Sequence, residues 1–371
     1  MAAAPSTPSS RAPHEPPPGA SWGELVGDRL DRVETSLHQT VEEAAARFGA
    51  IDPDLAAVAD EVVAFVATGG KRLRPLLVLL GHELTGADGD VVPAAVAVEL
   101  VHTWALVHDD VIDGDATRRG RATTHRGFAE RHAARGWAGD TDHYGIAMAI
   151  LVGDLVAVLA DQSFEQTAAD PAHLAVARAE FTAMRLEVMA GQVLDVQVAA
   201  ERTTDLDRSL RVATLKSGRY SVTRPLQLGA RLGGASPGLM DHLARVGDAL
   251  GVAFQLRDDL LGVLGDPART GKPVGGDLRE GKRTVLVAEA ATRLDPASLA
   301  RLETTLGDQA ADDETVRRCI ADLVDSGAVD AVQARVDDLL ATASAELDDL
   351  AGGSAASALH ALAAELGSRT H

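Results

Sequence analysis

Apolar residues recur every three and four positions through most of the chain, the spacing that lines them up along one face of a helix. Alanine, leucine and valine dominate these stretches, and β-branched or aromatic runs are few, so the pattern predicts an all-α protein. Helices are expected over 22–48, 53–67, 73–84, 91–113, 122–133, 144–167, 171–199, 205–217, 220–232 and 237–262, then over 282–292, 296–306, 312–325, 327–350 and 354–367. The breaks between them, such as "ATGGKR", "ADGD", "RGWAGDTD" and "GDPARTGKPVGGD", are Gly-rich or polar and too short for interdomain linkers. No repeat with a period of about 20 to 50 residues recurs, which argues against a solenoid. The expectation is one helical domain over 21–371, preceded over 1–20 by a disordered leader rich in Pro, Ala and Ser with almost nothing to bury.

Charge narrows the function. A net charge of −20 over 371 residues argues against general nucleic-acid binding and against an anionic membrane surface, because both need a basic field. An anionic ligand would have to be gathered by local cations. The lone cysteine, Cys319, cannot form an internal disulfide, and no secretion signal opens the chain, so a cytoplasmic protein is expected. The apolar runs "LLVLL" (76–80) and "AMAILVG" (147–153) are too short to cross a bilayer, and no membrane span is expected.

Against this background the stretch "VHTWALVHDDVIDGDATRRG" (101–120) is unusual. An apolar helix gathers Asp109, Asp110, Asp113 and Asp115 at its end, then Arg118 and Arg119. Like charges one turn apart weaken a helix unless a cation answers them. Asp109 and Asp113 share a face about 6 Å apart, a spacing that lets two carboxylates hold hard cations. Mg²⁺ takes one or two carboxylates together with substrate phosphate oxygens, so a set this sparse suits a metal that clamps a phosphorylated substrate; the alternative is a solvated acidic helix end. A second apolar helix, "FQLRDDLLGVLGDP" (254–267), carries Asp258 and Asp259 with Gln255 one turn earlier. Two such helices facing across a bundle bring carboxylates together from opposite sides. Cations accompany both: Lys71, Arg72 and Arg74 in "ATGGKRLRPLL", Arg118 and Arg119, Lys216 in "TLKSGRY", and Lys272 and Lys282 in "TGKPVGGDLREGKRT". Near a Gly pair and a helix start, such cations suit a diphosphate.

Taken in order, "GGKRLRP", "HDDVIDGDATRRG", "GQVLD", "TLKSG", "FQLRDDLL" and "GKP…GKRT" resemble the trans-isoprenyl diphosphate synthases, the polyprenyl synthetase family, from about residue 25 to 365. The resemblance implies a bundle of helices around a deep central cavity (the type I isoprenoid synthase fold), a homodimer, and head-to-tail joining of an allylic diphosphate (dimethylallyl, geranyl or farnesyl) to isopentenyl diphosphate with three Mg²⁺ ions. By that likeness Asp109 and Asp113 hold two ions and Asp258 the third. Arg118, Lys216, Gln255, Lys272 and Lys282 contact the allylic diphosphate, while Lys71, Arg74, His102 and Arg119 hold isopentenyl diphosphate. Ser217 stands where the family more often has Thr, and Gln192 and Asp195 match a helix motif beside the reacting carbons.

One position departs from the pattern. The second motif, usually DDxxD, here reads DDLLG with Gly262 last, which raises the alternative of a weakly active partner subunit in a heteromeric synthase. A class I terpene cyclase shares the fold but needs an Asn/Ser/Glu metal triad, and this chain contains no asparagine. A metal-dependent phosphohydrolase ligating through His108 and Asp109 would leave the GGKRLRP and second aspartate motifs unexplained. In this family, bulk beneath the first aspartate motif tends to set product length. Trp104 and Ala105 lie five and four residues before Asp109, roughly 6 to 8 Å along the helix, with Ala105 beneath Asp109 and Trp104 turned aside. A lone aromatic there, without a two-residue insertion in DDVID, resembles geranylgeranyl diphosphate synthases. The expected product is C20, with C15 farnesyl diphosphate the alternative.

Overall fold

The computed structural model describes residues 21–265, 275–350 and 353–368. Ten helices build the region of interest: α1 (Trp22–Gly49), α2 (Ala56–Ala67), α3 (Leu73–Glu83), α4 (Val92–Asp113), α5 (Thr124–Ala134), α6 (Thr141–Glu165), α7 (Pro171–Glu201), α8 (Leu206–Val212), α9 (Arg224–Leu232) and α10 (Pro237–Leu264). Shorter helices come next at Gly276–Glu280, Val285–Ala291, Pro296–Thr305 and Asp313–Asp325, then longer ones at Ala328–Asp348 and Ser354–Ser368. The strands among the described residues are two-residue pieces, Thr117–Arg118 and Arg121–Ala122, paired antiparallel just after the first aspartate motif. The all-α expectation holds, and this small hairpin is what periodicity could not register.

Local signals set the helix ends. Ser21 and Glu24 form a reciprocal capping box that starts α1, and Gly114, at φ 70°, ends α4 in the left-handed conformation that glycine adopts without a Cβ penalty. From Ala94 to Val101 every α4 side chain is buried. A helix apolar all round has no solvent face, and α1, α3 and α6 enclose this one. The two aspartate-bearing helices belong to different cores. Residues of α4 pack with Val33, Val152 and Phe181 of α1, α6 and α7, whereas Ala253, Leu256 and Leu260 of α10 pack with the C-terminal helices. Their polar ends look onto the space between the cores.

Between α8 and α9 the chain does not break where a helix end was expected, at 218–219. It continues as a π-helix, Ala213–Thr223, so the two expected helices are one widened rod. Glycines on both sides let it in. A Cβ on Gly191 of α7 would come within 2.6 Å of the Lys216 Cα, and one on Gly251 of α10 within 2.7 Å of the Gly218 carbonyl carbon. π-helical turns are rare and concentrate at functional sites. Here the turn wedges Lys216 and Ser217 between α7 and α10. The helix expected over 282–292 is shorter, Val285–Ala291, because Gly281 at φ 79° ends the preceding Gly276–Glu280 turn.

Helix α6 is also longer than its apolar core run. By length and composition it could cross a membrane, so the argument from the short run at 147–153 does not hold for the whole helix. It lies along α4 and α5, with Gly145, Ala149, Val152 and Val156 buried. Its other side exposes Ile146, Ile150, Leu151 and Val158, and α7 exposes Leu186, Met189, Val193 and Val196.

Candidate active site

Asp109 of α4 and Asp258 of α10 line one cavity of about 530 Å³, so the two acidic helix ends do open onto shared space. Gln192 Nε2 donates to Asp109 Oδ1 at 2.7 Å, and Lys216 Nζ lies 3.4 Å from that oxygen and 2.7 Å from Asp195 Oδ2. Desolvation and the neighbouring Asp109 charge push the Asp113 carboxyl up to about 6. Desolvation likewise pushes Asp110 up to about 6, although Arg118 Nε donates to it at 2.5 Å, and its second oxygen has no hydrogen-bond partner. Across the cavity, burial pushes Asp259 up to about 7 against the 2.6 Å hydrogen bond from Gln255, with Asp277 and Asp258 adding like charge. These carboxylates are short of positive charge.

The donors are hard oxygens, and among the described residues no group of three or more His, Cys, Asp or Glu converges as a cage. That set suits Mg²⁺, which keeps waters and shares its sphere with phosphate oxygens. Cations wait beside the acids. Burial alone would lower the Lys216 ammonium, but Asp195 and Asp109 outweigh it and hold it above the ordinary lysine range. Lys282 is raised in the same way by Asp277 and Glu280, which lie 3.3 and 2.7 Å from its Nζ.

A second lobe, about 710 Å³, is basic. Gly69 at φ 73° and Arg72 at φ 46° turn the chain into α3. Arg72 then points inward: its guanidinium donates to Glu34 at 2.8 Å, Glu99 at 2.7 Å and the Val66 carbonyl at 2.9 Å. It is a structural cation, although it stands between Lys71 and Arg74 in the same basic cluster. Arg74 lies over the Tyr220 ring at 4.8 Å, and its buried Nε has no hydrogen-bond partner. Arg119, left-handed at φ 50°, donates to Thr68 Oγ1 at 3.3 Å. Burial and the guanidiniums of Arg74, Arg119, Arg118 and Arg72 hold the His102 imidazole well below its usual value, so it is neutral in a positive field. An orphaned buried donor inside such a field is what an anion site requires.

The third lobe, about 460 Å³, is apolar: Trp104, Ala105, Val188, Met189, Val193 and Val196 line it, with Asp109 and Lys216 at its mouth. Trp104 meets His108 edge-on at 5.8 Å. His108 Nε2 is 3.2 Å from the Ile150 carbonyl on α6, so that ring nitrogen is already engaged. Ser217 lines all three lobes.

Comparison with known proteins agrees with this geometry. The family described as Polyprenyl synthetase matches residues 56–323. The chain is 34% identical over 273 residues to a geranylfarnesyl diphosphate synthase of Aeropyrum pernix, covering 73% of this chain and 80% of that one. It is 35% identical to a (2E,6E)-farnesyl diphosphate synthase of Mycobacterium tuberculosis over 70% of this chain and 67% of that one. A crystal structure of geranylgeranyl pyrophosphate synthase from Corynebacterium glutamicum, complexed with isoprenyl diphosphate and magnesium, superposes with a TM-score of 0.86 at 34% identity, over 92% of this chain and 99% of that one. The chain belongs to the polyprenyl synthetase family.

As a polyprenyl synthetase it is a prenyltransferase that makes short-chain trans-prenyl diphosphates. Of the residues singled out from sequence, the fold brings Asp109, Gln192, Asp195, Lys216, Ser217, Gln255, Asp258 and Lys282 to the acidic side and Lys71, Arg74, His102, Arg118 and Arg119 to the basic side. Lys272 lies outside the described residues. Two side chains of this synthetase were not foreseen. Tyr220 sits under Arg74, and burial raises its phenol further above the ordinary range. Asp277 lines the acidic cavity. Both lie inside or beside motif strings, "TLKSGRY" and "VGGDLREGK", and only their facing partners mark them out.

Proposed function

We propose that this prenyltransferase joins isopentenyl diphosphate to an allylic diphosphate and stops at geranylgeranyl diphosphate, C20. The observation that carries this reading is the meeting of an acidic, a basic and an apolar lobe at Ser217. One substrate with a charged head and a greasy tail occupies the acidic and apolar lobes; a second, small and charged, occupies the basic one.

Asp109 and Asp113 from one helix and Asp258 from the other are the side chains that would hold Mg²⁺, and three ions are expected. When bound, Mg²⁺ neutralises the departing diphosphate, which is a poor leaving group until its charge is met. Lys216, Lys282 and Arg118, held near the acids by ion pairs, turn to the allylic diphosphate and stabilise negative charge as it develops. Lys71, Arg74 and Arg119 fix the second diphosphate, with neutral His102 donating or accepting beside them. The π-helical turn aims Ser217 at the junction where the two carbon ends meet. Loss of diphosphate leaves an allylic cation, the isopentenyl double bond attacks it, and a proton departs to the released diphosphate. No protein nucleophile is needed.

The tail would lie in the apolar lobe, with Trp104 and Ala105 limiting its length. We also propose a homodimer through the exposed apolar side chains Ile146, Ile150, Leu151 and Val158 of α6 and Leu186 of α7, a patch a lone chain rarely leaves in water. This use of α6 is favoured over a membrane span by its packing along α4 and α5. The test is incubation of the chain alone with dimethylallyl or farnesyl diphosphate, isopentenyl diphosphate and Mg²⁺, and then sizing of the dephosphorylated alcohols. A C20 alcohol is expected. A C15 end product would replace the length assignment, and a chain inert until a homologue is added would favour the partner-subunit reading.

A further inference from the structure

Gly153 sits buried in the middle of α6, where glycine weakens a helix relative to alanine. Its surroundings explain its presence. A Cβ built there would fall 2.1 Å from His108 Nε2 and 2.4 Å from Cδ2, inside the space of the imidazole. The ring of His108 therefore lies directly on the α6 backbone, in a notch that any side chain at 153 would fill. Nε2 holds it there, 3.2 Å from the carbonyl of Ile150 on the same helix.

The ring also has a second neighbour. Trp104, one turn before His108 on α4, meets it edge-on with ring centroids 5.8 Å apart. Both rings line the apolar lobe, and Trp104 packs on its far side against the core that α4 shares with α1, α6 and α7. Gly153, His108 and Trp104 thus form a row running from the α6 backbone to the wall of the lobe. Protein interiors are close-packed, so a displaced ring moves into whatever space is open. The open side here is the lobe, about 460 Å³.

We propose that Gly153 is a specificity-determining position for product length, acting through His108. Its missing side chain lets the imidazole settle on α6, and the settled imidazole fixes how far it and Trp104 reach into the space for the tail. The proposal rests on the reading that the prenyl tail lies in the apolar lobe. It goes beyond that reading because the position that tunes the wall belongs to another helix. Gly153 is a positioning residue, since it acts on the tail only through the imidazole.

The test extends dimethylallyl diphosphate with isopentenyl diphosphate and Mg²⁺ on the full chain, sizes the dephosphorylated alcohols, and follows the ratio of the wild-type end product to its next shorter homologue. In Gly153→Ala the imidazole must retreat from 2.1 Å to about 3.5 Å to regain van der Waals distance. Alanine suits a helix interior and the atom it meets is the free end of a side chain, so the fold is expected to survive. The ratio is expected to fall about tenfold toward shorter chains, the order of discrimination that one methylene supplies in an apolar pocket. The kcat/KM of the first condensation, whose short tail does not reach the wall, is expected to stay at the wild-type value. His108→Ala removes the ring that is pushed, and adding Gly153→Ala to it is expected to change the ratio no further. A Gly153→Ala chain that melts as wild type and keeps the wild-type ratio overturns the proposal; so does a shift of equal size with and without the His108 ring. Should Gly153→Ala fail to fold, His108→Ala alone carries the test: longer products are expected, and an unchanged distribution overturns the proposal. Trp104→Ala with wild-type products overturns instead the placement of the tail on which it rests.

Discussion

Replacing Trp104 by alanine is expected to lengthen the product. Trp104 lies five residues before Asp109, about 7.5 Å along α4, and its indole is a wall of the apolar lobe. Removing it opens room for at least part of another five-carbon unit. Burying that unit, at about 0.8 kcal/mol per carbon, favours the longer chain by up to about 4 kcal/mol, which is ample to shift where elongation stops. The half-buried ring also packs on the core, so some stability is lost, though less than the roughly 3 to 5 kcal/mol of a fully buried Trp. Trp104→Leu, which retains most of the packing, is the companion variant. The assay extends farnesyl diphosphate with labelled isopentenyl diphosphate under Mg²⁺ and sizes the alcohols by chromatography. Products of C25 or longer are expected from Trp104→Ala, and Ala105→Phe should shift the distribution toward C15. A folded Trp104→Ala enzyme with an unchanged product profile would refute the idea that this ring limits the tail.

Other consequences are equally open to measurement. Chelation of divalent cations should abolish diphosphate release, and Asp109→Asn should lower kcat by about 10² to 10³-fold with little change in KM for isopentenyl diphosphate. Arg72→Met should destabilise the fold by roughly 3 to 5 kcal/mol, read from denaturant melts, because it strands buried Glu99 without its partner; an unchanged melt would refute the structural role of this ion pair. Leu186→Asp, on the exposed row of α7, should yield monomers by sedimentation velocity, and an unaltered sedimentation coefficient would remove that face from the assembly.

Much of this was legible from residue order because helices write their faces at fixed spacing. The period of three and four located α4 and α10, and the aspartates at their ends stood out as charges inside apolar rods. Hidden from that reading was whatever depends on contact between distant segments. Arg72 looks like its neighbours in "GGKRLRP" until Glu34 and Glu99, from other helices, claim it. Asp277 is one acid among many until Gly262 is seen to face it. The uninterrupted rod through 218–219 escaped because Gly218 ordinarily marks a helix end, whereas here it is the contact point with Gly251.

The widened helix from Ala213 to Thr223 has a consequence for how such chains lose activity. A π turn carries an additional residue compared with an α turn, so losing a single amino acid there would let the segment tighten toward an ordinary α-helix and re-aim Lys216 or its neighbours. Every signature string could survive such a deletion letter for letter. The result would be a chain that reads as a synthase and performs as a bystander, distinguishable only by counting residues between "GQVLD" and "FQLRDD".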